Sequence, residues 1–194
     1  MTYNPAIHHR RSIRLKEYDY ALSGAYFVTI CTFNRECYFM QFPQLMEIVD
    51  EEWRRISKRF HMAFTDEYVI MPNHFHGIVI INNEMECRQG GYPQGVSLQN
   101  VTDIINGKPN LGTIVGSFKS LCVNAWLKVI TSRNNNARGK FWQSNYYEHI
   151  IRSEDELNRI RNYIIDNPLK WESDRENPVN QNRPGTKQAE EWMV

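Results

Sequence analysis

The stretch Met71-Pro72-Asn73-His74-Phe75-His76-Gly77-Ile78-Val79-Ile80-Ile81 decides the fold. Pro72-Asn73 is a turn signal, because proline presets its own φ and asparagine tolerates turn conformations. From His76 to Ile81 the chain is apolar at consecutive positions, which fits a strand covered on both faces. Phe64 to Met71 reads as the strand before the turn, and so short a connection makes the two a hairpin.

Working outward, Ala25-Tyr26-Phe27-Val28-Thr29-Ile30-Cys31-Thr32-Phe33 is rich in β-branched and aromatic residues and predicts an earlier strand. Between it and the hairpin, Phe42, Leu45, Met46, Val49, Trp53, Ile56 and Phe60 recur at helical spacing and predict one amphipathic helix. Residues 82–110 break the periodicity, holding Gly90-Gly91, Pro93, Gly95, Gly107 and Pro109 among polar residues. They read as a long, mobile surface loop. The pattern resumes with Leu111, Ile114, Val115, Phe118, Cys122, Ala125, Trp126 and Val129, a second helical stripe, and then Phe141 to Ile151 as a fourth strand.

Ser153-Glu154-Asp155-Glu156 has the form of a capping box, with Ser153 as N-cap. Leu157, Ile160 and Ile164 are the stripe of a third helix, which Asn167-Pro168 ends. The tail from Glu172 to Gly185 is polar and reads as irregular. The order β-α-β-β-α-β-α begins as a split β-α-β unit. It predicts an α+β, ferredoxin-like (RRM-like) fold: a four-stranded antiparallel sheet with two helices on one face. The third, C-terminal helix is free to cover the other face. Residues 1–171 form one domain in this reading and 172–194 a polar tail.

Composition agrees with a globular chain. Of 194 residues, 41% are hydrophobic and 23% charged, room for one domain and little for a second. No apolar run approaches the roughly 18 residues of a membrane span, and the first residues lack a signal-peptide pattern. The expectation is a cytoplasmic protein. Cys31, Cys37, Cys87 and Cys122 have long, irregular spacings, which argues against a cysteine-built zinc site and a disulfide framework. The net charge of +1 argues against a protein that simply coats nucleic acid. The distribution is uneven, however. His8 to Lys16 is a basic arm, and Lys108, Lys119, Lys128, Arg133, Arg138, Lys140 and Arg152 face the single acid Glu148 across residues 108–152.

Chemistry concentrates in two places. His74 and His76 are two apart on a strand, so both rings leave one face, and two imidazoles on one face can share a metal ion. Tyr163 and Asn167 are four apart on a helix and therefore neighbours on its surface. Each pair has a structural alternative. The histidines can be hydrogen-bonded framework, and Tyr163 a boundary ring with Asn167 as a helix terminus.

Five segments together resemble the REP-associated tyrosine transposases, which belong with the single-tyrosine transposases of the HUH (His-hydrophobic-His) endonuclease class. They are Arg11 to Leu15, Tyr26 to Thr32, Val69 to Gly77 with its Met-Pro-Asn-His-x-His block, Phe141 to Arg152, and Tyr163 to Pro168. The resemblance spans about residues 8–171 and leaves out the 82–110 loop and the tail. It implies a single-strand DNA endonuclease and strand transferase. Tyr163 matches the nucleophile, which would form a 5′-phosphotyrosine and allow religation. His74 and His76 match ligands of a divalent ion, Mg2+ or Mn2+, and Asn167 matches the third ligand. The implied partner is single-stranded or hairpin-forming DNA, and relatives include monomers and homodimers.

Arg11, Arg14 and Lys119 are candidate phosphate contacts. Trp142, Asn145 and Tyr146 lie in a mixed aromatic and polar run suited to single-stranded bases. Tyr146 and Tyr147 are rival nucleophiles that a strand would point to opposite faces. Two other readings compete. One is a non-catalytic nucleic-acid-binding module on the same fold, although the RNA-recognition signature is absent. The other is a water-activating metal phosphodiesterase, for which clustered carboxylates are few.

Overall fold

The computed structural model of the chain describes residues 18–82, 109–133, 136–174 and 176–180. The hairpin is present as read. Strand β1 is Gly24–Cys31, and the hairpin strands β2 and β3 are Ala63–Met71 and His74–Ile81. Strand β4 is Tyr147–Ile151. The four make one sheet in the order β2-β3-β1-β4, each neighbour antiparallel. That is the ferredoxin-like arrangement, with the histidine-bearing strand in an interior position.

Residues 72 and 73 alone link β2 to β3. Two-residue hairpin loops favour turns with positive φ, yet proline cannot adopt one. Among the described non-glycine residues only Asn34 and Arg35 have positive φ. Asn73 holds the turn by other means. It is fully buried, and its backbone oxygen accepts from the Thr32 N–H and the Thr32 hydroxyl, each at 2.9 Å. Its side-chain Nδ2 donates to the carbonyls of Arg35 and Glu176 at 2.9 and 2.6 Å.

The predicted first helix over 42–60 is divided. A turn of helix α1, Tyr38–Gln41, precedes α2, Pro43–Arg54, and α3, Ile56–Arg59. Pro43 at the start of α2 has no N–H with which to continue a preceding helix. The second stripe is α4, Leu111–Ser132, opened by the Asn110 side chain accepting from the Thr113 N–H at 2.9 Å. The third is α5, Glu154–Asp166, with Ser153 Oγ accepting from the Glu156 N–H at 3.2 Å.

The fourth strand is shorter than the expected 141–151. Phe141 and Trp142 contribute an isolated bridge, Thr32 to Trp142, and the carbonyls that follow leave the ladder. Lys119 Nζ donates to the carbonyls of Gln143, Ser144 and Asn145 at 2.7, 3.0 and 3.4 Å. The aromatic run that reads as strand is core instead, with Phe141 and Trp142 both buried against Phe39.

The sheet separates two cores of unequal size. Tyr26, Val28, Ile30, Phe75 and Val79 face α2 and α4 in the larger one, with Trp53, Phe118 and Trp126. Gly77 lets Trp53 reach the sheet, since a Cβ there would lie 2.5 Å from the indole. The smaller core joins Phe27, Ile78 and Ile151 to Leu157, Ile160 and Ile164 of α5. Each such side chain contributes about 1.5–3 kcal/mol on burial, so α5 is anchored by a modest apolar patch. Among the described residues no helix is long and apolar enough to cross a membrane.

Candidate functional site

Alternation along β3 sends Phe75 and Val79 into the larger core and His74, His76 and Ile78 toward α5. The same alternation on β1 places Phe27, Thr29 and Cys31 beside them, since Thr29 pairs with His76 and Cys31 with His74. The histidine rings lie with centroids 4.5 Å apart, His74 fully buried and His76 nearly so.

Each ring is held through Nδ1. The Thr29 hydroxyl and His76 Nδ1 are 2.8 Å apart, and Phe27 stacks on the His76 ring at 5.2 Å. His74 Nδ1 is 2.9 Å from Asn73 Oδ1. The two carbonyls that take the Asn73 amide hydrogens fix that amide's orientation, so its Oδ1 can only accept. His74 Nδ1 therefore donates to Asn73 Oδ1, which leaves Nε2 as the ring nitrogen turned toward Asp174. Hydrogen bonds of this kind set which nitrogen of a histidine is left for a ligand.

Helix α5 brings the tyrosine. The half-buried Tyr163 lies with its hydroxyl 3.5 Å from His76 Nε2 and its ring 5.4 Å from the imidazole. One turn later Asn167 keeps helical angles (φ −56°, ψ −43°) although Pro168 follows. This departs from the usual pre-proline restriction. The chain runs on as a 3-10 turn over Asn167–Ser173. Asn167 is 2% exposed, and its Oδ1 is buried without a hydrogen-bond partner among the described residues.

Two polar clamps set the position of α5. Arg161 grips Asp66, which sits at the irregularity in β2 between Thr65 and Tyr68. The arginine's hydrogen bonds are the main reason the Asp66 carboxyl is held below its usual range. At the other end Glu156 joins His149 of β4 at 2.8 Å and accepts from the Arg152 N–H at 2.7 Å. Burial pushes the Glu156 carboxyl up, and these hydrogen bonds outweigh it, leaving a net lowering. The capping box is thus altered: Glu156 reaches Arg152, one residue before the N-cap.

In the tail, Glu172 and Ser173 end the 3-10 turn, residues 174 and 176–180 are irregular, and this described part packs against the body of the protein. Glu176, Asn177 and Asn180 are buried. Glu176 forms an ion pair with Arg35, and Asp174 Oδ2 lies 3.9 Å from His74 Nε2. Sequence reasoning missed Thr29, Asn73 and Asp174 as neighbours of the histidines. Only Asn73 carried a signal, its place directly before His74.

The residues fit a divalent cation in one respect and are incomplete in another. Two imidazoles and a buried, partnerless amide oxygen are donors of the right type. Among the described residues no group of three or more His, Cys, Asp and Glu side chains is arranged to hold a metal ion, so a site here requires the amide oxygen of Asn167.

No family model matches the chain. Over 188 residues it is 40% identical to a protein of Haemophilus influenzae described as uncharacterized, an alignment covering 89% of this chain and 96% of that one. The chain belongs to the same family as that protein. A solved structure of a REP-associated tyrosine transposase bound to a REP hairpin is similar to it with a TM-score of 0.52. At 14% identity, over 81% of this chain and 73% of that one, the likeness shows a shared fold.

The other candidate residues of this family member lie elsewhere. Trp142 is 2% exposed, its ring packed into the larger core. Tyr146 packs against that core too, while Tyr147, like Tyr163, packs against the smaller one. The rival tyrosines thus do face opposite sides, and Tyr147 shares the histidine face. Asn145 is exposed. Lys119 is committed to the three carbonyls described above, and burial, with Lys140 nearby, brings its pKa down to about 8. Arg11 and Arg14, like the 83–108 part of the long loop, lie outside the described residues.

Proposed function

We propose that the chain is a metal-assisted endonuclease and strand transferase acting on single-stranded DNA. The observation that carries this reading is the approach of the Tyr163 hydroxyl to His76 Nε2 at 3.5 Å, beside His74 and one helical turn from Asn167. A phenol on a helix and a pair of imidazoles on a strand meet across the smaller core.

The chemistry is an exchange of phosphodiesters. The Tyr163 oxygen bonds to phosphorus and the bond from phosphorus to the 3′ oxygen breaks. The phenolic proton is lost, and the 3′ oxygen gains one. The product is a 5′-phosphotyrosine with a free 3′-hydroxyl, and attack by a 3′-hydroxyl reverses the step and rejoins strands without an external energy source. A phenol titrates near pH 10 and is a weak nucleophile at neutral pH. A divalent ion held by His74, His76 and Asn167 would polarise the phosphate and stabilise charge on the departing oxygen. Thr29 and Asn73 orient the two rings, and Phe27 packs against both His76 and Tyr163.

The structural neighbour was solved with a REP hairpin, so a folded-back DNA strand is the substrate to try first. Incubation of an end-labelled hairpin oligonucleotide with the protein and Mn2+ is expected to give a covalent protein–DNA adduct on a denaturing gel. Tyr163→Phe abolishes it while leaving the melting temperature near wild type. Binding without any adduct in the wild type would favour a non-catalytic nucleic-acid-binding module.

A further inference from the structure

We propose that Arg138, stacked over Phe33, forms with Lys140 a binding platform for the nucleotides that flank the scissile phosphate; the inference rests on the DNA-strand reading above. The Arg138 Cζ lies 3.6 Å from the centroid of the Phe33 ring. Its Nε donates to the Lys140 carbonyl at 3.1 Å. The ring thus covers one face of the guanidinium, and the hydrogen bond fixes its orientation from the side. Arg138 is exposed, so the face away from Phe33 is the one turned to solvent. A guanidinium plane stacks on a nucleobase as an aromatic ring does, and its N–H groups suit a phosphate. Lys140, also exposed, sets a second cation two residues on.

The segment that carries the platform is held from below. The Trp126 indole N–H donates to the Arg138 carbonyl at 3.0 Å. Gly139 sits so close to α4 that a Cβ there would lie 2.4 Å from Leu127. The Phe33 N–H donates to the Phe141 carbonyl at 2.6 Å, which ties the ring's own backbone to the same segment. An arginine held in this way loses little freedom when it binds. Its place suits a strand that reacts at Tyr163. Cys31 pairs with His74 in the sheet, and Phe33 follows two residues later, about 7 Å on along the chain. The charge is favourable too. Arg35, Lys119, Arg138 and Lys140 meet in this corner, where Glu176 is paired with Arg35 and Glu36 is the other acid. Burial is the main reason the Lys119 pKa falls to about 8, and nearby Lys140 adds to it. A corner of net positive charge beside the reacting phosphate draws a polyanion toward it.

The test is binding of a fluorescein-labelled single-stranded DNA oligonucleotide to the full-length protein, followed by anisotropy across a salt series. EDTA is present, so no metal chemistry enters the measurement. Arg138→Lys keeps the charge and removes the planar group. It is expected to weaken binding by about fivefold or more, the scale of one stacked base, with the salt slope of the wild type. Lys140→Gln is expected to lower the slope of log affinity against log salt by about 0.7. If Arg138→Lys melts below wild type, readings taken well under its transition compare folded proteins. Unchanged affinity in Arg138→Lys would overturn the platform, and a wild-type slope in Lys140→Gln would remove that lysine from it. Either result leaves the proposed function standing where the Mn2+-dependent adduct still forms. A wild type that forms no adduct, with affinity lost in Arg138→Lys, sinks strand transfer and keeps the platform as a nucleic-acid site. A wild type that does not bind the strand overturns both.

Discussion

Arg161 of α5 holds Asp66 of β2 through two hydrogen bonds, 3.0 Å from Nε to Oδ1 and 2.6 Å from Nη2 to Oδ2. The pair lies two residues from Tyr163 and ties the tyrosine helix to the edge strand of the sheet. Glu156 and His149 do the same at the opposite edge. Both carboxyls are held below their usual range in the fold. Their stabilisation is therefore complete at neutral pH, above the unfolded values, and is lost as the pH falls through the lowered folded values. The double variant Asp66→Asn/Glu156→Gln is expected to melt below wild type at pH 7, by an amount corresponding to about 2 kcal/mol or less for two partly exposed pairs. The difference should begin to narrow as the pH falls through the unfolded carboxyl range near 4 and close only below the lowered folded values. Melting curves between pH 3 and 7 check it, and a gap that persists unchanged at pH 3 contradicts the electrostatic origin of the clamps.

Thr29 offers a cleaner handle on the histidines, because it touches His76 from the neighbouring strand and no reacting group. Thr29→Val keeps the shape and the β-branched character and removes the hydroxyl at 2.8 Å from Nδ1. Losing such an orienting contact weakens metal binding by about 10–100-fold where the ring is a ligand. Mn2+ titration should show that loss, and adduct formation should recover at higher Mn2+. A fall in adduct yield that saturating Mn2+ does not restore would place the role of Thr29 elsewhere.

The parts of this molecule written in local pattern were legible. Consecutive apolar residues after His76 announced a strand covered on both faces, and the i, i+4 spacing of Tyr163 and Asn167 placed them on one side of a helix. The misreadings came where distant residues override local signal. Phe141 and Trp142 look like strand, but their rings fill the core and Lys119 takes the next three carbonyls out of the ladder. The stripe from Phe42 to Phe60 reads as one helix, yet the chain breaks at Arg55 between α2 and α3. Thr29 and Asp174 meet the histidines only through sheet register and a folded-back tail, and neither leaves a mark in its own neighbourhood of the sequence. The whole α5 site therefore had to be anticipated from residue type and resemblance, whereas its supporting contacts came from the three-dimensional arrangement.

Gly77 tests the larger core from the same strand. A Cβ there would lie 2.5 Å and 2.9 Å from atoms of the Trp53 indole and 2.8 Å from the Phe75 ring. Those rings are themselves packed 4.6 Å apart, with Phe118 against both, so none can withdraw without disturbing the others. Gly77→Ala is expected to cost about 1–3 kcal/mol by overpacking, roughly 2–10 °C in melting temperature for a chain of this size. Gly77 separates His76 from the rest of the strand, so residual adduct formation at low temperature would show that the site survives the strain.

Lys119 distinguishes a structural cation from a nucleic-acid contact. Its ammonium holds the carbonyls of Gln143, Ser144 and Asn145, and a phosphate would have to displace them. Lys119→Met keeps the aliphatic stem and deletes the donors. The loss is expected to lower stability by about 1–3 kcal/mol, the scale for hydrogen bonds to a charged group, and to loosen the segment that leads into β4. A lysine that contacts phosphate adds about 0.7 to the slope of log affinity against log salt on a single strand. With the ammonium committed to the loop, the variant should show the wild-type slope within error. A slope reduced by that amount, with little change in melting temperature, would reassign Lys119 to the DNA.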